Sequence, residues 1–280
     1  MKTFGVMVFI LIISAFADIY AQGSRTSKYL SEAIDLYKTE KASGLSHSFL
    51  INKKSGFTPD AGGYISYASE LNTIHTLYYD KSTPEKTVYK FTYDAADNFR
   101  MISVDSSDIG LTPLEKELID IRKKASALLK ENPDDFFTAY PGFSFKLIPV
   151  SDIRGKRVYI VSEPLYDGSV VLGGDYLLKF SAGNTFVSKE KLHDKLYGFP
   201  FKRAAGSARI SGHIHTKNSH FTVTELMTLL LHQDKLDWNS HGVVTEHRGS
   251  FFKIDQRELY EFRNDSVSYY LNEMFSDRAY

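Results

Sequence analysis

Ser211–Leu226 reads SGHIHTKNSHFTVTEL, and the rest of the chain is best read outward from it. Residues two apart in a strand face the same side. A strand over Ser207–His215 therefore puts the imidazoles of His213 and His215 on one face, with Ile214 expected to point to the core. Thr222-Val223-Thr224-Glu225 then opens a helix over Thr222–His232, with a threonine cap, glutamate three residues on, and Val223, Leu226, Met227 and Leu230 as its apolar stripe. Neutral imidazole is the commonest metal ligand. Two histidines and one carboxylate, with a fourth position left to water, form a catalytic zinc arrangement. His213, His215 and Glu225 are therefore the candidate metal ligands and zinc the expected ion. Thr222–Glu225 is also a capping box, which needs no metal, and Thr112-Pro113-Leu114-Glu115 carries the same signature.

Downstream, His241–His247 and Ser250–Ile254 read as strands joined through Arg248-Gly249. His241 and His247 are expected at solvated or hydrogen-bonded strand edges, and His232 as a cationic cap at the helix end. His193 has no companion in the sequence. The segment 258–280 is mixed, with a helix around Ser266–Phe275. Upstream, FSFKLIPV (143–150), RVYIVSE (157–163) and SVVLGGDYLLKF (169–180) read as strands, with Gly173-Gly174-Asp175 a bulge or bend. The clearest helix starts at Thr112, repeats Leu114, Leu118, Ile121, Ala125 and Leu128, and stops at Asn132-Pro133. Before it, TIHTLYYD (73–80), TVYKFTYDA (87–95) and NFRMISVD (98–105) suggest an antiparallel meander. Leu30, Ile34 and Tyr37 predict a short helix over 28–39, with a possible strand near Ser48–Ile51. The fold class is α+β, an antiparallel or mixed sheet flanked by a few helices. A soft boundary near 108–112 separates an N-terminal lobe (22–110) from a second unit (111–280).

The N-terminus narrows the compartment. Lys2 precedes FGVMVFILIISAF (4–16), an uncharged run shorter than the roughly 20 residues that span a bilayer. Residues 1–21 are therefore expected to be a cleaved signal peptide, making the chain periplasmic or secreted. The chain has no cysteine, which rules out disulfides, thiolate metal sites and a lipobox anchor. Lys+Arg and Asp+Glu balance at 34 each, so nothing favours nucleic acid or an anionic membrane. An apolar content of 42% supports a real core, so no stable membrane anchor is expected after cleavage. No P-loop, GxSxG elbow or HExxH occurs.

His213-x-His215, a six-residue loop (Thr216–Phe221), then Thr222-x-x-Glu225 resembles the motif of JAMM (MPN-type) metalloproteases. That pattern is His-x-His, seven residues, Ser-x-x-Asp, with a glutamate on an earlier strand; here the loop is one residue shorter, Thr216 stands for the usual proline, and glutamate replaces aspartate. The resemblance covers roughly half the chain and extends to its element order from Leu111 to Ile254. It implies a zinc hydrolase of peptide or isopeptide bonds acting on a protein, peptide or cell-envelope substrate. It also implies roles: His213, His215 and Glu225 as ligands, Thr222 as an oxyanion stabiliser, and Glu163 as general base. The C-terminal half further resembles exported proteins of Bacteroidetes-type bacteria, which implies a compartment and no activity. The rival reading is a non-catalytic envelope or secreted binding protein with the same fold.

Overall fold

The β-branched and aromatic runs of the N-terminal third pair as their pattern predicts. A computed structural model describes residues 28–52, 61–69, 72–83, 86–96, 98–106, 109–193, 195–202, 210–215, 220–245 and 248–263. The expected signal peptide and the helix around 266–275 lie outside the described residues. Strands β1 (Ala61–Ala68), β2 (Thr73–Asp80), β3 (Thr87–Asp94) and β4 (Arg100–Asp105) form an antiparallel meander in that order. Helix α1 precedes it over 28–52, much longer than predicted, and takes in the segment expected as a strand. Its buried face includes Ala33, Leu36, Tyr37, Glu40, Ser43, Ser46 and Leu50, at helical spacing. The polar members hide that stripe from a hydrophobicity count. Ser43 and Ser46 hydroxyls donate back to the carbonyls of Glu40 and Ala42, each at 2.9 Å, so they enter the core satisfied.

Helix α2 (Pro113–Glu131) follows, and then an antiparallel sheet of β5 (Phe143–Asp152), β6 (Gly155–Pro164), β8 (Tyr176–Phe180) and β9 (Phe186–Lys191). Its strands β5 and β6 are buried on both faces. Leu147, Val158 and Ile160 pack with Leu118, Ile121 and Ala125 of α2, and with Ile65, Leu77 and Tyr79 of the meander. Their neighbours Ile148, Tyr159 and Val161 pack on the other side with α1 and the C-terminal elements. Alternation along one strand thus serves two cores.

The run 169–180 is two strands rather than one. It breaks at Gly173 (φ 92°) and Gly174 (φ 71°). β7 (Ser169–Gly173) leaves to pair with β10 (Leu196–Pro200), while β8 stays in the β5–β9 sheet. A Cβ on Gly173 would lie 2.2 Å from the Lys195 carbonyl oxygen, and one on Gly174 would lie 2.8 Å from Ser162 Oγ. Only glycine permits both the left-handed backbone and the close crossing.

The last unit is a mixed sheet of β11 (Ile210–Ile214), β12 (Ser240–Val244), β13 (Arg248–Lys253) and β14 (Glu258–Arg263). β11 and β12 run parallel and are connected through helix α3 (Val223–Leu231); the other pairs are antiparallel. No helix among the described residues is long and apolar enough to cross a membrane.

The capping box of α2 also ties the helix to the meander. Glu115 Oε2 accepts the Thr112 N–H at 2.7 Å, while Oε1 accepts Tyr67 Oη at 2.7 Å and Lys90 Nζ at 2.8 Å. Burial pushes the Glu115 carboxyl up, but Lys90, Thr112 and Tyr67 together hold it below the ordinary range. A carboxylate with a depressed folded pKa stabilises above its unfolded pKa and loses that contribution as pH falls. Glu115→Gln is expected to cost about 1–3 kcal/mol at pH 7. The gap to wild type should shrink below about pH 4. Urea unfolding at pH 7 and at about pH 3 checks both; a pH-independent gap contradicts the charged role.

Candidate metal centre

Four buried side chains from three places in the chain converge. His213 lies on β11, His215 follows its last residue, Glu225 sits in the first turn of α3, and His193 comes from the segment between β9 and β10. Their candidate ligand atoms all lie within 4.8 Å of one another. Glu225 Oε1 is 3.0 Å from His193 Nε2, 2.8 Å from His213 Nε2 and 3.1 Å from His215 Nε2. The Nε2 atoms of His213 and His215 are 2.8 Å apart. None of the four residues is more than 7 % exposed.

Hydrogen bonding alone satisfies this arrangement poorly, because the Nε2 atoms of His213 and His215 face each other as well as the carboxylate. Three ring nitrogens aim at one carboxylate oxygen, and each nitrogen can only donate or accept. A cation in the middle satisfies all four lone pairs at once. Tetrahedral zinc with bonds of about 2.0–2.1 Å has ligand–ligand edges of about 3.3 Å. Four of the six separations, at 2.8–3.1 Å, fall just inside such a frame, and all lie within 4.8 Å. A donor set of three imidazoles and one carboxylate suits zinc and other borderline divalent ions. This group could therefore hold a metal ion.

Each donor has its own positioning. β11 and β12 are registered with Ser211 opposite His241 and His213 opposite Val243. This puts His241 Nε2 at 2.8 Å from His213 Nδ1, with Ser211 Oγ bonded to His241 Nδ1. His241, expected at a solvated or hydrogen-bonded strand edge, is hydrogen-bonded but fully buried on an inner strand, packed among Phe199, Phe221 and Trp238. Glu225 is held by the capping box. Its Oε2 accepts the Thr222 N–H at 2.8 Å and the Thr222 hydroxyl at 3.1 Å. Capping and convergence are therefore both present, one on each carboxylate oxygen. Burial raises the Glu225 carboxyl, but His193, His213 and His215 pull it well below the ordinary range, so it is ionised. Burial also depresses His213.

His193 is the member that local sequence does not announce. It is placed by the crossing at Gly173. The Leu192 N–H donates to the Asp175 carbonyl at 2.9 Å, and a Cβ on Gly173 would sit 3.3 Å from the His193 side chain. The signal was Gly173-Gly174, which is readable only once the strand crossing it is known. The same turn buries Asp175, whose carboxyl accepts the Ser162 N–H at 2.9 Å. Burial pushes its pKa up to about 7, against the Ser162 N–H, Thr224 and His193.

The other expected residues lie elsewhere. Glu163 pairs with Lys146, which also reaches Glu40 at 3.2 Å, and it is not among the converging groups. The Thr222 hydroxyl is directed at Glu225. Ile214 is 66 % exposed, because α3 and β10 cover the histidine face instead of the Ile214 face. His232 does end α3, but burial, then Lys235, push its pKa down to about 4, so it is neutral there.

The two duties of Glu225 can be separated. Glu225→Gln keeps a side chain able to complete the box but loses the charged donor. It is expected to retain the helical circular dichroism signal while losing zinc in metal analysis. Full zinc retention would count against ligation by Glu225. No family model, curated protein or solved structure matches this chain.

Proposed function

We propose that the chain is an exported, zinc-dependent hydrolase of amide bonds, acting on a peptide or protein. The observation that carries this reading is that His213, one of the four donors, also lines an open groove. The groove, of about 490 Å³, is bordered by Lys195, Tyr197, Gly198, Phe199, Gly212 and Ile214. The Tyr197 hydroxyl donates to the Ile214 carbonyl at 2.8 Å across one side of it. A groove of this size beside one donor of the cluster suits a site where a substrate meets a metal. Zinc held in such a site polarises a carbonyl and acidifies water near neutral pH.

His213, His215 and Glu225 are the fixed donors, since β11 and α3 hold them. His193 comes from an irregular segment and is the donor that yields when substrate or water needs a position. Asp175 is better suited than Glu163 to take up a proton. It is buried, its pKa lies near neutrality, and it feels the fields of both His193 and Glu225.

A second reading rests on the closure of the site. Four protein donors, all buried, are what structural zinc sites offer. In that case the ion pins the 192–195 segment to β11 and α3, and nothing turns over.

One set of variants separates the readings. Wild type is expected to carry about one zinc ion per chain and His213→Ala/His215→Ala none. Under the hydrolase reading His193→Ala retains zinc, and wild type cleaves a mixture of synthetic peptides. A Cβ on Gly198 meets nothing within 4 Å, so a larger side chain there fills the groove without disturbing the donors. Gly198→Leu is expected to keep its zinc and lose about tenfold or more in kcat/KM. Zinc lost from His193→Ala, with no cleavage by wild type, establishes the structural reading.

A further inference from the structure

We propose that Ser211, His241 and His213 form a two-position hydrogen-bond relay whose direction is set by metal binding, with His241 as the positioning residue. The proposal rests on reading the four-donor cluster as a metal site, but not on hydrolysis.

Strand register builds the relay. Ser211 and His241 are parallel neighbours on β11 and β12, and His213 lies two residues further along the same face. His241 bridges the other two side chains, with Nδ1 on Ser211 Oγ and Nε2 on His213 Nδ1 at 2.8 Å. His241 is fully buried, Ser211 is 9 % exposed and His213 is 7 % exposed. His215 differs: its buried Nδ1 has no hydrogen-bond partner. Of the two donors presented by the β11 strand face, His213 is the one whose ring is held from behind.

The direction of each bond follows from counting protons. A ligating His213 has a bare Nε2, so its proton sits on Nδ1 and is donated to His241 Nε2. His241 then carries its own proton on Nδ1 and donates it to Ser211 Oγ. Without metal, the ionised Glu225 oxygen 2.8 Å from His213 Nε2 accepts an N–H from that ring. His213 Nδ1 is then bare and accepts from His241 Nε2–H, while His241 Nδ1 accepts from the Ser211 hydroxyl. Between the two states each ring keeps one proton and no ring changes charge. One proton leaves to solvent at the His213 Nε2 end, and one returns from solvent at the Ser211 hydroxyl. Metal binding therefore reverses both internal bonds without breaking the chain.

A neutral imidazole suits this task. A carboxylate behind His213 would accept in either state and would favour the Nδ1–H form permanently. His241 can turn either way, so the empty site is not left with a mismatched donor pair.

The test is nitrogen-15 NMR of the imidazoles in the full chain, with zinc and then with chelator. Added zinc is expected to move the protonated nitrogen of both His241 and His213 from Nε2 to Nδ1. His241→Phe, which cannot accept, is expected to weaken zinc binding about 10- to 100-fold. His241→Gln, whose amide oxygen accepts the His213 N–H, should recover most of that loss. If His241→Phe does not fold, Ser211→Ala carries the test: it leaves both rings in place and is expected to weaken zinc by up to about 10-fold. Zinc bound with the His241 tautomer unchanged overturns the relay and leaves the metal site standing. Zinc that does not bind the wild type overturns both.

Discussion

The Glu225 carboxylate is a buried charge that the fold must satisfy from every side. Removing an ionised carboxylate from water is costly unless it is paired and hydrogen-bonded. The chain meets this demand by dividing the group. One oxygen closes the first turn of α3, and the other gathers three imidazoles from two other segments. Other elements of the C-terminal half fit around that point. The parallel register of β11 and β12 sets His241 behind His213, and the β7–β8 break lets His193 approach past Gly173.

The same device occurs at Glu115. There too a capping glutamate is buried, spends one oxygen on the helix end and offers the other to distant partners. The partners make the difference. Lys90 brings its own positive charge, so the Glu115 cluster is complete within the protein. The partners of Glu225 are imidazoles, which can turn bare ring nitrogens towards a cation instead of carrying a fixed charge as Lys90 does. Two boxes with the same sequence signature therefore end as a structural clamp and as a cluster that could hold a metal ion.

Much of this was legible in the sequence. The meander, α2, the strand β11 and the capped helix α3 follow from period and caps, and His213, His215 and Glu225 do converge. What escaped was set by contacts distant in sequence. α1 ran past its predicted end because serines and a glutamate lie on its buried face, satisfied by the helix itself and by Lys146. Ile214 and the histidines exchanged sides because burial of the imidazole face depends on α3 and β10, not on side-chain hydropathy alone. His193 joins from twenty residues before His213, through a crossing that neither segment specifies by itself. Glu163 is one residue from Ser162 on β6, and that single step of alternation separates the Lys146 pair from the Asp175 side.

Gly173 contributes no donor, yet it governs how many donors there are. The Lys195 carbonyl lies where any Cβ at Gly173 would be, so the clearance at one backbone crossing sets the height of the segment bearing His193. Lifting that segment would leave β11, α3 and their three donors in place and withdraw the fourth. How many donors the cluster can offer an ion is thus written into a contact between two backbones, at a residue with no side chain.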